Sequence, residues 1–572
     1  MTRLARDPAV LDATYDVIVI GGGITGVCVA REFAGRGATT LLVEKDDFGH
    51  GTSAATSKYL HGGIRYLEQY QFDVVRESLR ERRVMALAAP HLVHQQRFVM
   101  PAWSWSTPPT ALIGAGVGLY TALGFDRNRD VPEPLRIPLP RWIPRARLLR
   151  DIPWLDPRDL QGAFAYHDTF NVHPERLLMA LLKSAISLGA TACNYARAAG
   201  FLTEPGDGAG NVRVTGVHID DTTTGTRHTA RATAVVNAAG PWLDEVLDPL
   251  QRPLGVRVAR AKGIHLLTTP VGGRPVADTV FARVRSGAHV IVSPWQGMSM
   301  IGPTDTPSDA TVDDTMVTPD DVSLVLGTIN AALAPGIPHL DEDDIEGVTV
   351  GVRPLIATEG KNTYATSRRH EVFDHGDRGV RGLWSIGGGK WTTARGMASD
   401  VADALFEADA LGVPLRPFDS RRVAAFGSFG WAEDPEPYLA AALHSDPHLA
   451  VDPQSREHLA RLYGTEHQRV LDVVRAQPTL GARLSARAGR FDIGAQVVFA
   501  ITDEAAVTLA DVLDRRLVLG TLGNVTRSEV EAVAAVAAPC WGWSDDQRDA
   551  AVEAELARRA LIEAVWRGAP VS

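Results

Sequence analysis

Apolar and polar positions change their period several times along the chain, and each change marks an element. Residues 16–20 (DVIVI) form a continuous apolar run of the kind buried on both faces of a parallel sheet, leading directly into Gly21-Gly22-Gly23-Ile24-Thr25-Gly26. A helix-compatible stretch covers 27–36 and ends at Gly37. Residues 39–43 then form a second β-branched and apolar run that finishes at Glu44. The pattern predicts a strand, turn, helix, strand unit at the start of the protein. Later β-rich runs at 212–219, 234–236, 263–268 and 289–292 are separated by Gly, Asp and Pro turns, which predicts a largely antiparallel second sheet. Residues 174–188 read as a helix, and the Pro- and Arg-rich stretch 132–157 as an irregular surface connection. After Pro417 the pattern becomes helical at 455–463, 526–538 and 544–566, the last two opening with capping boxes, Thr526 with Glu529 and Ser544 with Gln547. There is no internal repeat.

Composition narrows the picture. At 572 residues the chain exceeds the ~250–300 at which a single core stops growing, so several packed units are expected. Asp and Glu (68) outnumber Lys and Arg (58), giving a net charge of -10. Nucleic acid is therefore not an expected partner, and an anionic ligand requires a local basic pocket. The cysteines, Cys28, Cys193 and Cys540, are far apart and form no CxxC pair, so neither a disulfide framework nor a metal site is expected. A reducing cytoplasm fits, as does an N-terminus without an apolar signal core. The longest apolar run, 111–125, contains four glycines and is shorter than the ~20 residues that span a bilayer. It is followed by Arg127, Arg129, Arg136, Arg141, Arg145 and Arg147. This combination suits either a monotopic contact with anionic lipid or a buried Gly-rich helix beside an exposed loop.

The chemistry starts at Gly21, Gly23 and Gly26, which have G-x-G-x-x-G spacing. The first allows a tight turn, the second lets backbone amides approach a pyrophosphate, and the third permits close helix packing. Glu44, at the end of the second strand, is placed to accept a hydrogen bond from an adenosine ribose. A glycine triplet alone is weak evidence, but here the flanking strand, helix and acid agree on a dinucleotide. Two further turns and one small-residue stretch ask for a long ligand: 51–57 with Thr52, Ser53 and Ser57, Asn237 to Pro241 with Gly240, and 385–393 with Gly388, Lys390 and Thr392. FAD fits.

The segments IGGGITGVCVAREFAGRG, GTSAATSKYLHGGIRYLE, NAAGPW, KGIHLL, GPTD, GVRPL and GGGKWTTAR, in this order and at these separations, resemble the FAD-dependent glycerol-3-phosphate dehydrogenase family. The resemblance covers about 390 residues, and RLYGTEHQRVLD and TLADVLDRR in the tail resemble the family's C-terminal domain. It implies noncovalent FAD, oxidation of sn-glycerol 3-phosphate to dihydroxyacetone phosphate by hydride transfer from C2 to flavin N5, and a membrane quinone as acceptor. The implied fold is α/β: a Rossmann-type FAD-binding domain interleaved with a mixed or antiparallel-sheet substrate domain over 1–410, and an α-helical C-terminal domain over 411–572. Three positions depart from the family pattern. Cys28 replaces a usual glycine, the acid usual farther along that helix stands at Glu32, and Ala394 replaces the tyrosine expected before Arg395.

Matched positions carry the expected substrate site. Arg65 with Tyr66, Arg353 and Arg368 would clamp a phosphate, since a guanidinium fork matches phosphate oxygens. His265 stands nearest the role of proton acceptor from the carbinol, a task suited to imidazole. Arg353 is also placed to stabilise the developing alkoxide. Lys390 would stabilise the reduced flavin or touch the substrate, and Thr304 and Asp305 would line the site. The charge run Arg76 to Arg83, with Glu68, reads as a solvated face. Competing readings are an oxidase that returns electrons to oxygen, an amine or amino-acid oxidase, and a non-catalytic flavin-binding module. The tail's apolar faces serve either packing within the chain or a homodimer. The expected location is the cytoplasm, at the inner face of the cell membrane.

Overall fold

The computed structural model describes residues 3–308, 310–357, 369–430 and 433–569. Strand β1 (Thr14–Ile20) is buried over its last four residues and lies at the centre of a parallel sheet. Strand β2 (Thr40–Val43) flanks it on one side and Arg227–Asn237 on the other. Ala190–Cys193 and Leu383–Gly388 extend the parallel order outward, and His370–Asp374 closes one edge antiparallel. Helix α1 (Ile24–Gly35) crosses between β1 and β2 and is buried along almost its whole length, against the helices Pro174–Ser187 and Ala394–Glu407.

Glycine makes this packing possible. Gly21 has φ +106°, a left-handed conformation open chiefly to glycine, and a Cβ on Gly26 would sit 1.8 Å from the carbonyl oxygen of Gly21. Cys28 is buried in the same helix, and burial pushes its thiol up to about 12, so it acts as a small apolar filler.

The runs 263–268 and 289–292 lie in the second sheet, as the pattern predicts. Its spine is Val258–Thr268, paired antiparallel with Ile345–Ile356 and with Met298–Gly302. Val93–Trp103 and Leu160–Asn171 form the other half, and one parallel contact, between Thr279–Arg283 and Val93–Trp103, joins the halves. The runs 212–219 and 234–236 are a correction. Residues 234–236 run parallel between β1 and Leu383–Gly388 in the first sheet, and Val212–Asp221 pairs antiparallel with the start of the same long strand, Arg227–Asn237. One 11-residue strand thus serves a hairpin with its first half and the parallel core with its second.

Two other expectations change. The stretch 132–157 holds a strand, Arg141–Pro144, and a helix, Arg145–Asp151, because Leu148, Ile152 and Trp154 anchor it in the core beside the second sheet. In helix α2 (Phe72–Ala88) the charge run is only partly solvated. Arg80 is exposed, but Arg82 is buried against Asp168 at 2.6 Å, and Glu81 is buried with two 2.6 Å bonds from Arg395.

The apolar run 111–125 becomes helix α3 (Thr110–Leu123), in which only Val117 and Tyr120 are buried, while Leu112 is 59% and Leu119 43% exposed. Among the described residues no helix is long and apolar enough to cross a membrane. From Glu436 onward the described chain is essentially helical, with both predicted capping boxes in place before Arg527–Trp541 and Asp545–Arg567. Apolar side chains of the tail, among them Val530, Val533 and Ala537, pack within the chain.

Replacing Gly26 by alanine would drive a methyl group into backbone that side-chain motion cannot relieve. Overpacking typically costs ~1–3 kcal/mol, and Gly26→Ala is expected at or above the top of that range in urea denaturation. A variant within about 1 kcal/mol of the parent would show that the turn relaxes instead.

Candidate active site

The carboxyl ends of the parallel strands open into a cavity of about 1370 Å³, larger than the ~300–1,000 Å³ of most ligand pockets. Gly21 and Gly23 line it at the N-terminus of α1, Glu44 at the end of β2, Gly240 behind Asn237, and Gly388 at the end of its own strand. This is the crevice at which doubly wound sheets bind ligands. Gly26 lies beneath the turn and does not reach the cavity wall.

Gly23 caps α1 without a side chain, so the helix presents backbone N–H groups and its positive end to the cavity. Ser53 Oγ accepts from Ile24 N at 2.9 Å, and Thr52 Oγ1 donates to the Val352 carbonyl at 2.6 Å, tying the small-residue stretch between the two sheets. Glu44 accepts from Gly22 N at 2.6 Å and Asp46 N at 3.0 Å. Burial pushes its carboxyl up to about 7 against those bonds, and a carboxylate retains acceptor capacity for a ribose hydroxyl.

The second arm of the cavity is built on the strand pair Val258–Thr268 and Ile345–Ile356. Gly263 faces Gly351 in register, and a Cβ on Gly263 would strike the guanidinium of Arg353. The missing side chain gives that guanidinium its place. Arg353 donates to the Thr304 carbonyl at 2.7 Å and pairs with Asp305 at 3.3 Å. Thr304 stands behind the wall, its hydroxyl accepting from Ile264 N at 3.0 Å. His265, on the same strand, places Nε2 2.8 Å from Ser57 Oγ and Nδ1 3.3 Å from Thr349 Oγ1. Burial, with Arg353 and Lys58 nearby, pushes its imidazole down to about 3, so the ring is neutral.

Across the cavity, the ring of Tyr66 carries two cations, Arg65 at 5.3 Å and Lys390 Nζ at 4.8 Å. Lys390 Nζ is buried and has no hydrogen-bond partner among the described residues. Burial lowers its affinity for a proton, while Tyr66, Glu77 and Asp168 favour the charge. A buried ammonium in this condition calls for an anionic or strongly accepting ligand. Thr392 lines the cavity beside it. Arg368 lies outside the described residues. The glycine cradle, the ribose-facing acid and the unsatisfied ammonium fit FAD laid along the cavity.

The family model for FAD dependent oxidoreductases matches residues 16–404, and that for the C-terminal domain of alpha-glycerophosphate oxidase matches 420–548. The chain is 32% identical over 556 residues to a glycerol-3-phosphate dehydrogenase of Synechocystis sp., covering 96% of each chain. The chain belongs to the glycerol-3-phosphate dehydrogenase family of FAD-dependent oxidoreductases. Glycerol-3-phosphate dehydrogenase 2 of Mycobacterium tuberculosis is 33% identical over 553 residues, which cover 95% of this chain and 88% of the relative. The crystal structure of a glycerol-3-phosphate dehydrogenase from Bacillus halodurans complexed with FAD superposes with a TM-score of 0.76 at 25% identity, covering 97% and 96% of the two chains. FAD is the cofactor of this family member.

Two features of the site escaped the sequence. His61 lines the cavity, half-buried, with its imidazole pushed down to about 3 by desolvation and by Lys390 and Arg65. Its position directly ahead of two glycines and Arg65 was the available signal. The other is an apolar arm, past Phe98, Met100, Phe281 and Ile291, that reaches Leu112 and Leu119 of α3. Its residues come from four separate segments and share no motif.

Neutral buried histidines set a pH dependence. Unfolding lets His61 and His265 regain an ordinary value near ~6.5, so the unfolded state takes up protons that the folded state refuses between about pH 6.5 and 3. Their contribution to stability is present above pH ~6.5 and is lost as pH falls toward 3. Denaturation of the apoprotein should show lower stability at pH 5.5 than at 7.5, by about 1 kcal/mol for each such histidine. In His265→Gln the difference should shrink by that amount; an unchanged difference would mean that His265 is not held neutral.

Proposed function

We propose that the enzyme oxidises sn-glycerol 3-phosphate to dihydroxyacetone phosphate and delivers the electrons to a membrane quinone. The observation that carries the substrate reading is that Arg65, Arg353, Lys390 and a neutral His265 all line the FAD cavity, from facing sides. Bound FAD supplies the acceptor, at N5, for the hydride that leaves C2 of the substrate.

The remaining work falls to the chain's own groups. Arg65 and Arg368 hold the phosphate dianion, with the Tyr66 ring keeping Arg65 and Lys390 beside it. His265 takes the hydroxyl proton, and the Ser57 hydroxyl holds Nε2 until a substrate hydroxyl replaces it. The arriving dianion offsets the charge of Arg353, one of the causes that depress the imidazole, and so makes His265 a better base when substrate is bound. Arg353, fixed by Thr304 and Asp305, offers its guanidinium to the developing alkoxide. Lys390 adds positive charge beside the cofactor. Three cations lining one cavity favour a phosphorylated alcohol over an amino acid, and the intact proton acceptor favours turnover over a passive flavin module.

For the acceptor, the apolar arm supports quinone over oxygen. Leu112 and Leu119 line the cavity and are also exposed on α3, so the mouth opens on an apolar surface. That surface continues through Trp142 (40% exposed), stacked edge-on at 4.8 Å to Phe164, on which Gly114 of α3 packs. An apolar helix with a neighbouring tryptophan and exposed arginines suits monotopic attachment to the inner face of the cell membrane. The division into an FAD and substrate portion over 1–410 and a helical portion over 411–572 belongs to the same reading.

Anaerobic addition of glycerol 3-phosphate should bleach the flavin absorbance, and His265→Gln should slow the bleaching by about 10²–10⁴-fold. An enzyme that stays oxidised would overturn the substrate. Reoxidation should be fast with a quinone analogue and slow with oxygen; the reverse order would make the protein an oxidase. The double variant Leu112→Asp, Leu119→Asp should lose sedimentation with lipid vesicles, and retention at the parent level would remove α3 as the attachment.

A further inference from the structure

The adenosine end of the cavity has two walls. One is the loop that follows β2, residues 45–53, from which Lys45, Asp46 and His50 face the cavity. The other is the stretch 195–198, from which Ala196, Arg197 and Ala198 face it. The walls meet through main-chain bonds, Tyr195 N to Asp46 O at 2.9 Å and Ala196 N to Glu44 O at 2.7 Å.

Each wall sends one polar group away from the cavity, and both groups meet the same short segment of the helical tail, residues 508–516. From the loop comes Asp47, fully buried, which receives Arg515 Nε at 2.5 Å and both terminal nitrogens of Arg516 at 2.9 and 2.8 Å. From the other wall comes Tyr195, at φ +53°, whose hydroxyl donates to Asp511 Oδ1 at 2.7 Å. The same Asp511 oxygen accepts from Arg515 at 2.5 Å, closing the circuit between the walls. Arg516 is held in turn by the Glu504 carbonyl at 2.9 and 3.2 Å, and Asn194 bridges Asp47 and the Ala505 carbonyl at 3.1 and 2.9 Å. The arginines sit on a wide turn, Val512–Arg516, closed by Leu517 N to Val512 O at 2.8 Å, a geometry concentrated at functional positions.

Buried ion pairs are poor sources of stability compared with apolar packing, because both charges must leave water. What they supply well is a fixed geometry, and here the geometry they fix is that of an FAD wall. We propose that residues 508–516 are a positioning device for the cofactor: Arg515, Arg516 and Asp511 hold the loop 45–53 and the stretch 195–198 at the separation that the adenosine half of FAD requires. The helical tail thereby becomes part of the FAD site without touching the flavin ring. The inference is independent of the substrate and of the electron acceptor.

The test uses the full chain, stripped of FAD, with FAD, ADP and FMN as probes. In Arg516→Gln, the affinities for FAD and for ADP should fall together, by tenfold or more, while that for FMN changes less than twofold. Equal losses for ADP and FMN would reduce the cluster to a general stabiliser, and unchanged ADP affinity would remove it from cofactor binding; either result overturns the proposal. Should Arg516→Gln not fold, Tyr195→Phe deletes one hydroxyl and leaves the buried charges paired. It should weaken ADP about threefold and spare FMN, and an unaltered ADP affinity would again overturn the proposal.

Discussion

Everything in the front half of this protein is arranged around a helix that approaches its own turn as closely as atoms allow. The contact between Gly26 and the carbonyl of Gly21 leaves no room for a side chain, and it sets α1 hard against the sheet. Once there, α1 is enclosed so fully that even Arg31 and Glu32 are buried. Their charges are met from other parts of the chain and from the helix itself: Arg31 by Ser184 at 2.9 Å and the Val423 carbonyl at 2.9 Å, Glu32 by Arg36 at 3.0 Å. A helix fixed at both polar and apolar contacts cannot drift, so its N-terminus and the glycine amides around it keep a constant attitude toward the cavity.

The electrostatics of the site oppose those of the surface. The chain carries a net charge of -10, yet its cavity gathers Arg65, Arg353 and Lys390, of which Arg353 is paired with Asp305. Burial, with these cations nearby, keeps His265 and His61 neutral, so the histidines add no charge of their own. Tyr66 lets two like charges share one small volume by offering both its electron-rich ring. A dianion entering such a volume meets charges already desolvated and oriented, so little reorganisation remains for the reaction itself.

The elements legible in the sequence are those whose meaning is local. The strand, glycine turn, helix and terminal acid at 16–44 occur within one contiguous segment, and the capping boxes at Thr526 and Ser544 need only four residues each. What depends on a distant partner was not legible. The run 234–236 announces a buried strand but not that its neighbours are β1 and Leu383–Gly388. The charges of α2 look solvated until Asp168 and Arg395 are brought to Arg82 and Glu81. Arginines and prolines conceal the anchors Leu148, Ile152 and Trp154 within 132–157. In the site the pattern repeats: His265, Arg353 and Lys390 stand in recognisable motifs, whereas the placement of Thr304 behind the wall and the apolar arm reaching α3 follow from tertiary packing alone.

The separation of Asp47 from Arg516 along the chain, 469 residues, has a consequence for how the protein comes into being. At ~5–20 residues per second, a ribosome needs roughly 25 to 90 seconds to travel from one to the other. Throughout that interval β1, α1 and β2 are free to fold, but the carboxylate of Asp47 has no arginine to meet and the wall it belongs to has no brace. Cofactor loading is accordingly an event of a chain made at least as far as Arg516, and a chain stopped between Glu407 and Arg516 would keep the helices that pack α1 while lacking the brace on the nucleotide wall.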